Sequence, residues 1–173
     1  MPLFKVENLK ERLQGGAKTD KFTMLIHAPA GASAVGFTND DYCLVKNINF
    51  PSKSLGGVEA WVQGRKLIIP GDIEFGDNTI SWTMYNTPTH DIRQKLLDWM
   101  DYIDNYVENW HTTDPWQFTT KIELIQMDGV GNSLKTYTLH YAFPGEIGDI
   151  SLDASQINTI QEFNATFRYS YFN

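Results

Sequence analysis

The chain has a single cysteine, Cys43, among 173 residues. One thiol cannot close an internal disulfide or build a cysteine-based zinc site. Its neighbours Tyr42, Leu44 and Val45 give it the character of a small buried hydrophobe rather than a nucleophile. Long apolar runs are also lacking. Nothing approaches the roughly 18 consecutive apolar residues of a membrane helix, so no membrane insertion is expected. Lys5, Glu7, Lys10, Glu11 and Arg12 interrupt the first turns, which therefore do not read as a signal peptide, and a cytoplasm-like compartment is expected. Basic clusters are missing as well: the net charge is −7 and the lysines and arginines are scattered. A surface that grips phosphates needs clustered cations and counterion release. DNA as a sliding neighbour stays compatible with this charge.

Catalytic spacing is equally scarce. His27, His90, His111 and His140 form no pair with metal-motif spacing. There is no G-x-S-x-G elbow. Gly129-Val130-Gly131 lacks the third glycine and the following helix of a phosphate cradle. Glu146, Asp149 and Asp153 make a small acidic cluster without the alternation of a calcium loop, which favours a solvated or pore-facing acidic edge. Paired carboxylates that meet only in three dimensions stay open. Trp61, Trp82, Trp99, Trp110 and Trp116 read as core and interface anchors, with a sugar platform as the other possibility. The chain is expected to be no enzyme and to need no cofactor and no metal.

What is present is apolar and β-patterned. Hydrophobic residues make up 42% and aromatics 13%, enough for one packed domain. Residues 1–20 read as an arm in which Phe4, Val6, Leu9 and Leu13 form one or two weakly amphipathic turns before the break at Gln14-Gly15-Gly16-Ala17. Residues 21–173 read as a single domain. Strands are expected over 21–28, 41–49, 79–85, 118–127, 134–141 and 163–171, with a small-residue loop over 29–36 and a turn-rich link over 143–150. A hairpin is expected with arms 58–63 and 66–70 and its turn near Gly64-Arg65. Thr87-Pro88 predicts a helix start, and Ile92, Leu96, Trp99, Met100, Ile103 and Val107 carry the apolar stripe of a helix over 88–107. Asp128 to Asn132 predicts a second hairpin turn. The whole is a mainly β (α+β) architecture, an antiparallel β-sandwich or barrel with one flanking α-helix and a protruding β-hairpin.

The hairpin concentrates apolar residues in an element that buries little of itself. Such a patch marks an association site. Two projecting elements, hairpin and arm, point to head-to-tail contacts, which give rings when the rotation closes and filaments when it does not.

The stretch Thr89-His90-Asp91-Ile92-Arg93-Gln94-Lys95-Leu96-Leu97-Asp98-Trp99 resembles the helix of the tail tube proteins of T4-like contractile phages. Gly64-Arg65-Lys66-Leu67-Ile68-Ile69-Pro70-Gly71-Asp72 resembles the family's hairpin. Phe143-Pro144 through Ile147, Asp149, Leu152-Asp153 and Ile160 to Tyr171 resemble its C-terminal run. The match spans roughly residues 40–172 in order, and excludes the arm and the loop at 29–37. The resemblance implies a subunit of hexameric rings that stack into a hollow tube inside a contractile sheath. DNA, or a tape measure protein, occupies the lumen without specific binding. The partners it implies are other copies of the chain, the sheath, the baseplate and the tail terminator, and the location is the virion tail, assembled in the host cytoplasm. It implies that residues 50–72 are the inter-ring hairpin, with Leu55, Val58, Trp61, Val62, Arg65, Leu67, Ile68 and Ile69 as contacts, and the arm a second contact. Glu123, Asp149 and Asp153 are the expected lumen-facing acids, since a lumen that attracts phosphate would trap DNA. The alternatives are a tube initiator or terminator ring, the related inner tube of a type VI secretion or bacteriocin-like system and, more distantly, a sugar-binding β-sandwich.

Overall fold

The computed structural model describes residues 10, 11, 13, 16–32, 35–42 and 44–173. Most of the arm's apolar stripe, Phe4, Val6 and Leu9, lies outside the described residues, as does the environment of Cys43.

The strands are β1 (Phe22–Ile26), β2 (Val45–Ile48), β3 (Ser54–Val62), β4 (Arg65–Glu74), β5 (Thr79–Tyr85), β6 (Asp104–Asn105), β7 (Trp110–His111), β8 (Thr120–Met127), β9 (Ser133–Ile147), β10 (Glu162–Arg168) and β11 (Tyr171–Phe172). The helices are α1 (Asn39–Tyr42), α2 (Asp91–Ile103) and α3 (Pro115–Phe118). One antiparallel path, β1-β8-β9-β10-β5-β2, carries most of the fold, with β11 also on β9. It ends at two open edges, β1 and β2, so the architecture is a sandwich and no closed barrel. The first half of β9 pairs with β8 and its last residues with β10; β9 is the strand common to both halves.

Period-2 alternation sets the core. Ile80, Trp82 and Met84 of β5, Ile122 and Leu124 of β8, and Phe163, Ala165 and Phe167 of β10 are all buried, while Thr79, Ser81 and Asn164 between them face water. Ser81 and Thr166 share a hydrogen bond at 2.8 Å on that outer face, and Thr83 donates to Asn164 at 2.8 Å. Helix α2 adds Ile92, Leu96 and Trp99 to the same cluster. Phe167 is its hinge: it stacks on Trp82 at 4.3 Å and meets Trp99 edge-on at 5.8 Å.

Several sequence expectations are corrected. Helix α2 starts at Asp91, not at Pro88, because His90 sits at φ 57° and closes a turn onto the Thr87 carbonyl at 3.0 Å. The Thr87 hydroxyl still accepts from the Asp91 N–H at 3.3 Å, so it caps across the turn. The helix stops at Ile103 rather than near 107. The Asn105 side chain accepts from the N–H groups of Val107 and Glu108, an Asx turn that competes with helix, and β6 and β7 form a small hairpin. The strand expected over 41–49 is α1 followed by β2. The strand expected from 118 begins at Thr120, after α3, which Asp114 caps by accepting from the Trp116 N–H. Residues 143–147 are strand, not link: β9 runs on through Pro144, opposite Phe167, where a register shift accommodates it. The last strand is split at Tyr169-Ser170.

Asp41 joins α1 to α2. Its carboxylate accepts from Lys95 Nζ at 2.8 Å and from the Thr38 N–H at 2.7 Å, and both charged side chains are largely covered. Burial pushes the Asp41 carboxyl up, but Lys95 and Thr38 together outweigh it and hold it below its ordinary value. A carboxylate whose folded value is lowered stabilises above its unfolded range, near ~3.9, and loses that contribution as pH falls through the folded value. Asp41→Asn is therefore expected to cost about 1–2 kcal/mol in urea unfolding at neutral pH. That gap should close towards pH 3; an equal gap at both pH values would show that the ion pair contributes nothing.

Candidate assembly surfaces

The β3–β4 hairpin is longer than its sequence pattern indicates, and its two-residue turn is Gln63-Gly64 rather than Gly64-Arg65. Both turn residues have positive φ, 49° and 76°, the geometry that matches the right-handed twist of paired strands. Near the root the pairing shifts by one residue between Leu55 and Gly57. There Gly71 and Gly56 approach so closely that a Cβ on Gly71 would stand 3.2 Å from the Gly56 carbonyl.

Alternation divides the ribbon into two faces. Val58, Ala60 and Val62 lie opposite Ile69, Leu67 and Arg65. Glu59 and Trp61 lie on the other face with Ile68 and Lys66, where Lys66 and Glu59 form an ion pair. Leu55, Val58, Trp61, Val62, Leu67, Ile68 and Ile69 are all exposed, Trp61 by 67%. The structure thus brings every predicted hairpin residue into one ribbon and leaves both of its faces uncovered. Two rings hold its root: Phe50 packs on Tyr137 at 4.9 Å and Phe75 on Phe172 at 5.4 Å.

The three acidic candidates do not converge in this way. Glu123 lies on β8, opposite Leu25 and Thr138, only partly exposed and 3.3 Å from His27 Nε2. Asp149 and Asp153 belong to the segment between β9 and β10 and are exposed. Hydrogen bonds from the Ser155 hydroxyl and N–H hold the Asp153 carboxyl below its ordinary value, so it is an anion anchored in a local turn. Among the described residues, no group of three or more His, Cys, Asp or Glu side chains is placed to hold a metal ion.

Other exposed apolar residues escaped the sequence pattern. Tyr106 and Val107, at the tip of the β6–β7 hairpin, are 95% and 91% exposed, because the periodicity assigned Val107 to a helix that ends earlier. Leu152, Ile157 and Ile160, in the segment before β10, are exposed as well. Their spacing carries neither period, so only burial identifies them.

Sequence and fold comparisons agree with this architecture. The chain is 26% identical over 155 residues to a tail tube protein of Serratia phage KSP90, covering 90% of this chain and 86% of that one. It is 27% identical over 108 residues to a tail tube protein of Enterobacteria phage T4, covering 62% and 65%. Its fold is similar to a chain of the sheath-tube complex of an extracellular contractile injection system, with TM-score 0.66, 15% identity and coverage of 98% and 97%. It is also similar to a chain of that system's sheath/tube terminator, with TM-score 0.64, 17% identity and coverage of 90% and 94%. The family described as phage tail tube protein matches residues 18–173, nearly the whole of the described structure, and the chain belongs to that family.

Proposed function

We propose that this chain is the repeating, non-enzymatic subunit of a contractile tail tube: copies close into hexameric rings, and the rings stack into a hollow tube within a sheath and conduct DNA during ejection. The observation that carries this reading is the β3–β4 hairpin. It sets a row of large apolar side chains in water on both faces of a ribbon anchored only at its root. Two-stranded hairpins are marginal alone, and exposed apolar surface of this extent marks association. In the assembled tube Leu55, Val58, Trp61, Val62, Arg65, Leu67, Ile68 and Ile69 contact the next ring, and the arm of residues 1–20 adds a second contact. The sheath, baseplate and terminator are the further partners, and the tube belongs to the virion tail, assembled in the host cytoplasm.

For the lumen the acidic candidates remain Glu123, Asp149 and Asp153. The outer face of β5 and β10 supplies further polar surface, with Thr79, Ser81, Asn164 and Thr166 lying between Arg168 at one end and Glu162 at the other. Polar and acidic walls let a phosphate polymer slide, because no counterion release holds it. An assembled tube with a basic lumen would overturn this part.

Purified protein is expected to form hollow fibres of uniform width in negative-stain microscopy. A chain that stays monomeric at high concentration would sink the proposal. One that stops at single rings would point to the terminal-ring reading, which the likeness to a tube terminator keeps in view as a fold.

A further inference from the structure

The hairpin leaves the body at a joint. β2 pairs with β5 as far as Ile48, opposite Trp82, and the same two chain segments pair again as β3 and β4 from Ser54 and Glu74 outward. Between the two ladders, residues 49–53 on one leg and 75–78 on the other belong to no strand, and β3 and β4 form a two-stranded sheet of their own. The ladder bonds that would fix one stretch against the other are missing there. Gly76 and Asn78 stand at φ 62° and 53°. A few residues of this kind between rigid elements make a hinge. The nine residues of β3 form a lever of about 30 Å at ~3.3 Å per residue, so a small rotation at the joint carries the turn well out of contact distance.

One ring of β11 ties the two legs together. Phe172 meets Phe75 edge-on at 5.4 Å and Tyr137 edge-on at 6.0 Å. Tyr137 in turn packs on Phe50, on the other leg, at 4.9 Å. Tyr169 adds to the grip: its hydroxyl donates to the Phe75 carbonyl at 3.2 Å, and its N–H donates to the Asn78 carbonyl at 3.0 Å. The base of this clamp is fixed on β9. Asn173 and Thr138 exchange backbone hydrogen bonds at 3.0 and 3.2 Å. The Tyr171 ring stacks on His140 at 4.6 Å, and the Asn173 side-chain oxygen lies 3.0 Å from His140 Nε2. Alternation turns Tyr171 and Asn173 to the His140 side and Phe172 to the joint.

We infer that Phe172 is a positioning residue for assembly: it clamps the joint and sets the angle at which the hairpin stands from the body, so that the free subunit already holds the posture a tube requires. The inference rests on the hairpin-stacking reading and adds what prepares the hairpin for it. A hairpin free to swing is competent only in the fraction of subunits with the right posture, and apparent affinity falls by that fraction. A rigid joint therefore favours assembly without adding a contact between copies. Phe172 itself is half-buried at the edge of the cluster, so its loss takes little from the centre of the core.

The experiment uses the full chain in a Cys43→Ser background. Spin labels on Gln63→Cys, at the hairpin turn, and Asp101→Cys, on the exposed side of α2, report the turn-to-body distance by pulsed electron resonance in dilute, unassembled protein. Phenylalanine at 172 is expected to give one narrow distribution, and Phe172→Ala a broad one. Without the labels, Phe172→Ala is expected to raise the protein concentration needed for tubes by about tenfold. Phe172→Leu, which keeps apolar bulk at the joint, should restore most of both effects. Phe75→Ala, which removes the ring on the other side of the same contact, is expected to give the same two effects and carries the test where Phe172→Ala fails to fold. Ile122→Val, a truncation in the buried core, is the control for stability alone: a lower thermal midpoint, a narrow distribution and tubes at the ordinary concentration. A distribution that stays narrow in Phe172→Ala overturns the clamp and leaves the stacking reading to the hairpin replacement. A broad distribution with tubes at the ordinary concentration overturns the clamp and the stacking reading together.

Discussion

Replacing residues 54–74 by a short glycine-serine turn is expected to leave the subunit folded and to abolish fibres. The hairpin's apolar side chains are exposed along its length, and its packing onto the body is confined to Phe50 and Phe75 at the root, both of which the replacement keeps. Removing it therefore takes little from the core, and the thermal midpoint should stay within a few degrees, the shift expected for about 1 kcal/mol or less. Assembly loses far more. Fully burying one side chain of this size is worth about 1.5–3 kcal/mol. The ribbon offers eight that are exposed, Ile73 among them. Even after association entropy and side-chain ordering take their share, the loss corresponds to a shift of at least about a hundredfold in the concentration needed for assembly. Circular dichroism melts, sedimentation and negative stain measure the two effects separately. Fibres that persist without the hairpin would remove it from ring stacking. Collapse of the fold would place it in the core instead.

Phe167→Ala is expected to have the opposite signature: loss of about 3–5 kcal/mol of stability, and fibres failing only because the subunit unfolds. Phe167 is completely buried and touches both the Trp82 and the Trp99 rings. It thus ties β10 to β5 and to α2, and truncation leaves a cavity that three elements cannot close together. Domains of this size hold about 5–15 kcal/mol in total, so the loss is a large fraction of what keeps the chain folded. Trp82→Ala at the same stack should cost less than its size suggests. Its indole N–H is buried without a hydrogen-bond partner among the described residues, and removing an unsatisfied donor returns part of the packing loss. Urea unfolding of both variants decides it, with Trp61→Ala, exposed on the hairpin, as a control expected within about 0.5 kcal/mol of wild type. A cost below about 1.5 kcal/mol for Phe167→Ala would mean the core repacks around the vacancy.

Much of the fold is legible in the chain because much of it is periodic. Ile80, Trp82 and Met84 alternate with polar residues, and β5 lies where they place it. Ile92, Leu96 and Trp99 recur at helical spacing, and α2 buries those three residues. The hairpin is legible for the same reason, though its turn is displaced by one residue, since either side of Gly64 satisfies a glycine signal. Errors fall where a local side-chain bond competes with periodicity. Val107 continues the helical stripe, but Asn105 captures the N–H groups of the next turn and the stripe ends in water. Pro144 reads as a break, yet β9 passes through it because β10 shifts register at that point.

The assembly surfaces divide along the same line. The hairpin's apolar content is visible in a contiguous stretch of sequence, as is the helix motif beginning at Thr89 that carries the resemblance to tail tube proteins. The apolar groove that Ile103, Trp116 and Tyr141 line together is not visible there. Ile103, Trp116 and Tyr141 are separated by more than ten residues each, share no period, and become neighbours only when α2 and α3 pack beside β9. Composition and spacing by themselves determined a β-rich, acidic chain with one amphipathic helix and an apolar hairpin. The tertiary structure alone decided that the hairpin is uncovered on both faces, that Glu123 lies 3.3 Å from His27, and that apolar and aromatic residues of α2, α3 and β9 gather into one groove. Periodicity reports which face of one element avoids water, whereas an exposed surface is defined by what the rest of the chain fails to cover.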